Sequence, residues 1–409
     1  MSTGNKLVLF TNSYPYGNGE QFLETEINYL SEAFSKIYIY PLAFDSQIPR
    51  VIPQNAKVVK FELYNSHKRV KTLLRNFLFV NRIFVVQFFA TKHKWIYIKK
   101  WKTLLFYLLD RLNDSELLKK ELKKYDENSV LYSYWFNTWA NCLSLLKVKD
   151  KLPFVVRIHG NDYDEIQQKS GFFPFREFFY KQNLNIVAVS NYGLNYLKTN
   201  FNTSTVLNRL GIPDHGTNKT ESDKQPFVIV SCNFILPIKR VELIIDIISK
   251  LATPVKWIHF GNGELEYELE IKNYAKLKLQ NTPFEFRGYT PNSEIIAFYK
   301  NNSVAFFISM SEVEGGNPVS IMEAISFGIP AIGCNAGGVS EIVTAQTGFL
   351  FDKDVDTKEV ARILDNYFNF PEVEKNKLRN SSKEFWNQYF NAEINYKKFI
   401  STLKSPSKK

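Results

Sequence analysis

The segment richest in chemistry runs Ser309-Met310-Ser311-Glu312-Val313-Glu314-Gly315-Gly316-Asn317-Pro318 and on into Val319-Ser320-Ile321-Met322-Glu323-Ala324. A glycine-rich loop that feeds a helix, with Pro318 at its first turn where proline is tolerated, turns the backbone donors of Gly315, Gly316 and Asn317 toward a ligand. Glu323 follows about a turn inside that helix, where a carboxylate can accept both hydroxyls of a ribose. Phe327-Gly328-Ile329-Pro330 ends the helix, and Gly337-Gly338-Val339-Ser340-Glu341 opens the next element.

Three further segments carry two readings each. In Ile235-Leu236-Pro237-Ile238-Lys239-Arg240-Val241 two cations open a helix, against its dipole. They are either solvated surface charges or the partners of a bound phosphate. Arg157, His159 and Asp162 end an apolar run, Phe154 to Ile158, where polar groups are costly to bury and commonly face a cleft. A structural histidine is the plainer alternative. Gly17-Asn18-Gly19, between an apolar run and a helical pattern, is either an anion-cradling turn or an ordinary strand–helix connection.

The elements that must hold these residues alternate. Short apolar runs, read as strands, lie at 6–10, 37–40, 130–132, 154–158 and 186–190. A second series lies at 227–232, 257–260, 284–286, 304–308 and 331–333. Amphipathic helical stretches such as 21–34, 240–251 and 293–301 sit between them. Such alternation predicts parallel sheets covered on both faces, an α/β fold of two Rossmann-like, doubly wound domains facing a cleft. The expected divisions are an N-terminal domain over 1–212, a polar, proline-bounded linker over 213–226, a C-terminal domain over 227–385, and a helix and tail over 386–409 packing back on the first domain. Ligands in such folds bind at the carboxyl ends of the strands.

The chain has 409 residues, 52 Lys plus Arg against 41 Asp plus Glu, and so a net charge of +11 that favours an anionic partner. Its three cysteines, Cys142, Cys232 and Cys334, are far apart and odd in number, which argues against a disulfide framework or a cysteine-rich metal site and fits a reducing compartment. From Leu63 to Leu109 there is no acidic residue, yet ten basic ones: Lys68, Arg69, Lys71, Arg75, Arg82, Lys92, Lys94, Lys99, Lys100 and Lys102. Aromatic residues, among them Phe77, Phe84, Phe89, Trp95 and Trp101, are interleaved with them. Stretch 63–109 therefore reads either as a surface that meets anionic lipid headgroups or as helices with a solvated basic face. No nucleic-acid module accompanies it. The greasy run 77–90, broken by Asn81-Arg82 and Gln87, falls short of the roughly 20 apolar residues of a membrane span, and no secretory signal is visible.

Residues 314–341 resemble the nucleotide-sugar site of the retaining glycosyltransferases of family 4, which have the GT-B fold. That family's pattern is E-G-x-P-x-x-x-x-E-A, then G-x-P, then G-G-x-x-E. Here stand Glu314-Gly315-Gly316-Asn317-Pro318, Glu323-Ala324, Gly328-Ile329-Pro330 and Gly337-Gly338-Val339-Ser340-Glu341. His159-Gly160-Asn161-Asp162 is similar to the family's H-G-x-D loop, Lys239 to its diphosphate lysine, Gly261-Asn262-Gly263 to a following G-x-G, Gly288-Tyr289 to the loop at the nucleobase, and Gly17 and Gly19 to its N-terminal glycine loop. The likeness covers the C-terminal half well and the N-terminal half in patches. Two departures stand out: Phe234 occupies the family's arginine position five residues before Lys239, with Arg240 and Arg209 as candidate replacements, and nine positions separate Glu314 from Glu323 where eight are usual.

The resemblance implies transfer of a sugar from a nucleotide-diphosphate donor, most simply a UDP-sugar, with retention, by a front-face reaction and without a metal or other cofactor. Lys239, Arg240, Gly17 and Gly19 are then expected at the diphosphate, His159, Glu314 and Lys239 at the reaction centre, and Glu314, Gly315, Gly316 and Asn317 at the sugar. Glu323, Gly288 and Tyr289 are expected at ribose and base, with Arg157 and Asp162 in support. The implied acceptor is a glycan or lipid-linked glycan of bacterial surface polysaccharide, capsule or lipopolysaccharide, handled in the cytoplasm or at the inner face of the membrane. A GT-B-like epimerase and a non-catalytic membrane-surface protein are the alternatives. A dinucleotide-dependent dehydrogenase is disfavoured, since Gly261-Asn262-Gly263 lacks the third glycine and no acidic residue is placed for an adenosine ribose.

Overall fold

A computed structural model describes residues 5–17, 19–44, 50–63, 69–163, 165, 171–182, 184–219 and 225–405. Two compact units result. One comprises 1–209 together with 396–409, the other 210–395.

In the first unit seven strands, β1 (Lys6–Thr11), β2 (Lys36–Pro41), β3 (Ala56–Val58), β4 (Val130–Ser133), β5 (Val155–Ile158), β6 (Asn185–Ala188) and β7 (Thr205–Leu207), form one parallel sheet ordered β3-β2-β1-β4-β5-β6-β7. The period-2 alternation of a strand divides their side chains between two cores. Val8, Phe10, Leu131, Val156, Ile158 and Ile186 join one core, with Val80, Ile83, Leu108 and Leu112 from helices 69–90 and 101–122. Leu7, Leu9, Val130, Tyr132 and Val155 join the other, closed by helix 23–33 and by Phe399 and Leu403 of the last helix. The order reverses between β1 and β4.

The second unit carries six parallel strands, β8 (Phe227–Cys232), β9 (Val255–Phe260), β10 (Phe284–Phe286), β11 (Phe306–Ser309), β12 (Ala331–Cys334) and β13 (Gly348–Phe351), ordered β10-β9-β8-β11-β12-β13. Its reversal lies between β8 and β11, the crevice where open sheets of this kind bind ligands. β3, β7 and β13 have no counterpart among the strands read from sequence; all three are sheet edges, three or four residues long, and only partly buried.

The expected linker over 213–226 is corrected in its first half. Asn218 is buried in the second unit: its side chain donates to the Tyr299 and Asn302 carbonyls and accepts from Val304 N (3.1 Å) and Arg379 Nη2 (2.6 Å), and its amide donates to Phe327 O (2.9 Å). Lys383 Nζ ties Asp214 (2.6 Å) and Gly216 O (2.9 Å) to the same unit. Polar composition here reflects a satisfied strap. Residues 220–224 lie outside the described residues.

Stretch 63–109 folds, from Arg69 on, as helices Arg69–Ala90, Lys94–Lys99 and the start of Trp101–Leu122; Lys68 lies outside the described residues. Helix Arg69–Ala90, at 22 residues, is long and apolar enough to cross a membrane by length and composition, which corrects the shorter run read from sequence. One face of it is committed to the unit, since Thr72, Val80, Ile83 and Gln87 are buried and Gln87 bonds Glu177 and Phe178 N. Its other face leaves Val70, Leu74, Phe77, Leu78 and Phe89 exposed, continued by Trp95, Ile98, Trp101 and Phe106.

Candidate functional site

In the second unit the loops after β8 and β11 meet at the switch point. Pro237–Lys239 makes one 3-10 turn, Arg240 takes the left-handed conformation (φ 48°), and helix Val241–Ile248 begins. Glu312 N donates to Ile238 O (2.8 Å), stitching the two loops together. The result is an ion pair between Lys239 Nζ and Glu314 Oε1, both side chains about four-fifths buried (18% and 16% exposed). In a largely buried pair of this kind, an anion that took the carboxylate's place would keep the ammonium paired.

The Gly337-Gly338 segment explains itself sterically. A Cβ on Gly337, whose φ is +52°, would lie 1.4 Å from the Glu314 carbonyl oxygen, and one on Gly338 would lie 2.5 Å from Gly316 O. Only glycine lets this backbone lie against the 314–317 loop. Gly315 and Asn317 are buried and Gly316 half-buried, ahead of helix Val319–Ser326.

Within that helix Glu323 is buried, and Oε1 accepts from Asn292 Nδ2 (2.7 Å). Burial pushes its carboxyl up to about 7, with the Asn292 bond opposing. Asn292, first residue of helix Asn292–Asn301, escaped the sequence reading; an asparagine at a helix start is an ordinary cap signal and does not announce this contact. Gly288, at φ +65° just past β10, accepts from Gly261 N (2.8 Å), and the following Tyr289 is half exposed. Phe234, in the arginine position of the resemblance, is 62% exposed. Beside it, both side-chain polar atoms of Asn233 are buried without a hydrogen-bond partner among the described residues.

Arg240 is a correction. Its guanidinium donates to Met310 O (2.7 Å), Lys353 O (2.9 Å) and Cys334 Sγ (3.1 Å), so it fastens the ends of β11 and β12 and is not held for a diphosphate.

In the first unit the β1/β4 switch point is built differently. Glu20, at φ +57°, folds its carboxylate back onto the β1 loop and accepts from the amides of Asn12 (2.9 Å), Ser13 (2.7 Å) and Tyr14 (2.6 Å), and from Trp135 Nε1 (2.6 Å). The nest of amides on the β1 loop, Asn12 to Tyr14, is therefore filled by the chain's own carboxylate. Gly17 and Gly19 are exposed, and Gly19 O accepts from Arg50. Asn18 lies outside the described residues.

His159 follows β5 and is buried among Phe22, Tyr134 and Trp135, ring centroids 5.8, 4.7 and 4.4 Å away. Burial and the Arg157 charge hold its imidazole far below the usual histidine range, so it is neutral, and Nε2 has no hydrogen-bond partner among the described residues. Asp162 shapes this turn by accepting from His159 N (2.8 Å) and Phe136 N (3.0 Å); burial raises its carboxyl to about 8. Arg157 is a second correction: it is wholly buried, paired with Glu26, bonded to Asn208 Oδ1 (2.8 Å) and seated 3.8 Å from the Phe399 ring, so it belongs to the core of the unit. Among the described residues no group of three His, Cys, Asp or Glu side chains could hold a metal ion.

Residues 216–384 match the family model Glycosyl transferases group 1. The chain is 22% identical over 291 residues to the N-acetyl-alpha-D-glucosaminyl L-malate synthase of Bacillus anthracis, covering 67% of this chain and 74% of that one. Among solved structures it is similar to a glycosyltransferase of Rickettsia africae (TM-score 0.71, 17% identity, 98% of both chains) and to Anabaena HepE in complex with UDP (TM-score 0.68, 15% identity, 97% of this chain and 99% of that one). The fold is GT-B, and the 210–395 unit carries a Glycosyl transferases group 1 domain.

Proposed function

We propose that the protein is a retaining glycosyltransferase that moves a sugar from a nucleotide-diphosphate sugar, a UDP-sugar first among them, to a glycan or lipid-linked acceptor of bacterial cell-surface polysaccharide. The observation that carries this reading is the Lys239–Glu314 pair at the β8/β11 switch point, one helix ahead of the buried Glu323. In this reading Lys239 exchanges Glu314 for the donor diphosphate, and Glu314 takes hydroxyls of the sugar. Gly315, Gly316 and Asn317 line the sugar with backbone donors. Glu323 accepts the ribose hydroxyls, and Gly288 and Tyr289 flank the base.

The bond from the anomeric carbon to the diphosphate oxygen breaks, and its electron pair stays on the diphosphate. The acceptor hydroxyl oxygen forms the new bond on the same face, and its proton passes to the departing oxygen. Charge grows on the diphosphate as this happens, where a fixed ammonium is worth most in a site shielded from water. The proposal needs no metal, because the cationic work falls to Lys239 and backbone amides. His159 is assigned to the sugar beside its reacting carbon, as a neutral ring.

The acceptor reading draws on the exposed apolar face of helices 69–90, 94–99 and 101–122, flanked by Lys71, Arg75, Lys99, Lys100 and Lys102. Such a face suits peripheral contact with an anionic bilayer at the cytoplasmic side of the inner membrane. WaaB, whose structure is similar to this one (TM-score 0.67), is described as a lipopolysaccharide outer core galactosyltransferase.

A thermal-shift panel with UDP, GDP, ADP, CMP and their common sugars tests the reading. A ligand at about 100 times its Kd adds about 2.7 kcal/mol, a rise of a few degrees. Stabilisation by one nucleoside diphosphate, lost in Lys239→Ala, is expected; no shift with any nucleotide refutes the donor site.

A further inference from the structure

Glu20 has no part in the donor site, yet it is the most heavily bonded carboxylate at the β1/β4 switch point. Three consecutive backbone amides and one indole N–H converge on it, and Ser13 Oγ adds a longer contact (3.3 Å). It is held in a left-handed conformation that non-glycine residues avoid. Such strain persists where the surroundings over-determine it and gathers at functional sites.

Following those bonds outward leads to His159. The indole that Glu20 holds by Nε1 presents its ring to the imidazole at 4.4 Å, the shortest of the three aromatic contacts that confine that ring. Phe22, two residues past Glu20, supplies another contact on the same imidazole. The adjoining loop is laced in the same way: Asn137 Nδ2 donates to Asn12 Oδ1, and Trp139 Nε1 donates to Thr11 O (3.1 Å). One carboxylate thus fixes both the β1 loop and the orientation of the indole that walls His159. Nε2 of that histidine is buried and unpartnered among the described residues, so the ring's direction is set by its backbone hydrogen bond with Tyr134 and by the aromatic walls around it.

We propose that Glu20 is a positioning residue, which acts through Trp135 to aim the His159 imidazole. This rests on the glycosyltransferase reading for its kinetic consequence, though not for its structural one. The cost of error is steep, since a displacement of about 1 Å in a reacting group lowers turnover by about a hundredfold.

The test uses three variants of the full chain: Trp135→Phe, which removes the indole N–H and keeps an aromatic ring; Glu20→Gln, which keeps the size and weakens four bonds; and the double variant. Selective 15N-histidine labelling reads the imidazole directly, because the chain has five histidines. Both single variants should move the His159 ring nitrogens and leave the other imidazoles in place. They should lower kcat about tenfold or more, with donor KM within about twofold. The double variant should be no slower than the worse single one, because the two residues act in series.

Unmoved His159 resonances, or a Trp135→Phe enzyme with wild-type kcat, overturn the proposal. His159→Ala separates the two readings. If it is inactive while Trp135→Phe is fully active, positioning fails and the transferase assignment stands. If the wild type transfers no sugar from any donor, the assignment fails, and the histidine resonances still decide on Glu20.

Discussion

In the proposed ribose role, a Glu323 carboxyl poised near neutrality makes donor binding a titration. Glu323 is buried, has one hydrogen bond from Asn292, and is raised by burial to about 7. Ribose hydroxyls donate to a carboxylate, so binding requires the ionised form and expels a proton wherever the free site holds one. About nine-tenths of the free protein carries that proton one pH unit below this value, and about one-tenth one unit above it. Affinity for a nucleotide sugar should therefore rise about tenfold between about pH 6 and pH 8. A nucleotide sugar is the right probe, because its phosphates are diesters and lack the ionisation near pH 6 of a terminal phosphate. Titration calorimetry in two buffers of different ionisation enthalpy should find about half a proton released at pH 7. Glu323→Gln should bind more weakly at pH 8 and show no slope. The sign for stability is opposite. A folded carboxyl raised above its unfolded value holds its proton longer, so that contribution is full below about pH 4.5 and lost as pH rises through about 7. At about 1.4 kcal/mol per pH unit the loss comes to about 3.5 kcal/mol. Glu323→Gln should thus melt at least as high as wild type at pH 8 while binding donor worse. A flat affinity profile between pH 6 and 8, or a slope that survives in Glu323→Gln, refutes the ribose role.

Other expectations follow from single contacts. Lys239→Ala should abolish turnover while shifting Tm little, because it removes the cation of a part-exposed pair; retained activity in the folded variant overturns the diphosphate assignment. Gly337→Ala drives a Cβ into the Glu314 carbonyl and should remove nucleotide binding with circular dichroism unchanged, which calorimetry checks. Arg157→Met strands the buried Glu26 carboxylate and should destabilise the first unit by about 3–5 kcal/mol, read by denaturant unfolding. Charge reversal at Lys99, Lys100 and Lys102 should weaken flotation with anionic vesicles about tenfold or more, with the wild type losing binding as salt rises; binding insensitive to salt removes the membrane role.

What the sequence disclosed depended on how far apart the partners lie. The packing of Gly337 against the Glu314 loop and the place of Glu323 in the following helix were legible because these residues are confined to one loop–helix–loop. Arg157 was not, since its counter-ion Glu26 stands 131 residues away and only the folded sheet brings them together. Of two adjacent cations, Lys239 points to the site and Arg240 into the unit's own carbonyls. The left-handed turn at Arg240 decides this, and nothing in an arginine announces it. The Glu20 bonds were hidden for the same reason: a positive φ is a glycine signal, and a glutamate supplies it here under tertiary constraint. The edge strands β3, β7 and β13 were too short and too exposed to leave a period-2 pattern.

The two switch points, alike in topology, have opposite electrostatics. Each sheet reverses next to its first strand and presents a loop there, the place where open sheets of this kind bind ligands. In the first unit the loop's amides, Asn12 to Tyr14, are spent on Glu20, so a diphosphate finds a carboxylate in its way. In the second, Lys239 is paired with Glu314, and in the proposed function an incoming diphosphate replaces that partner without leaving the ammonium buried and unpaired. On the proposed function, the anionic half of the donor is expected at the second unit. The first unit holds instead a neutral imidazole buried among aromatic rings.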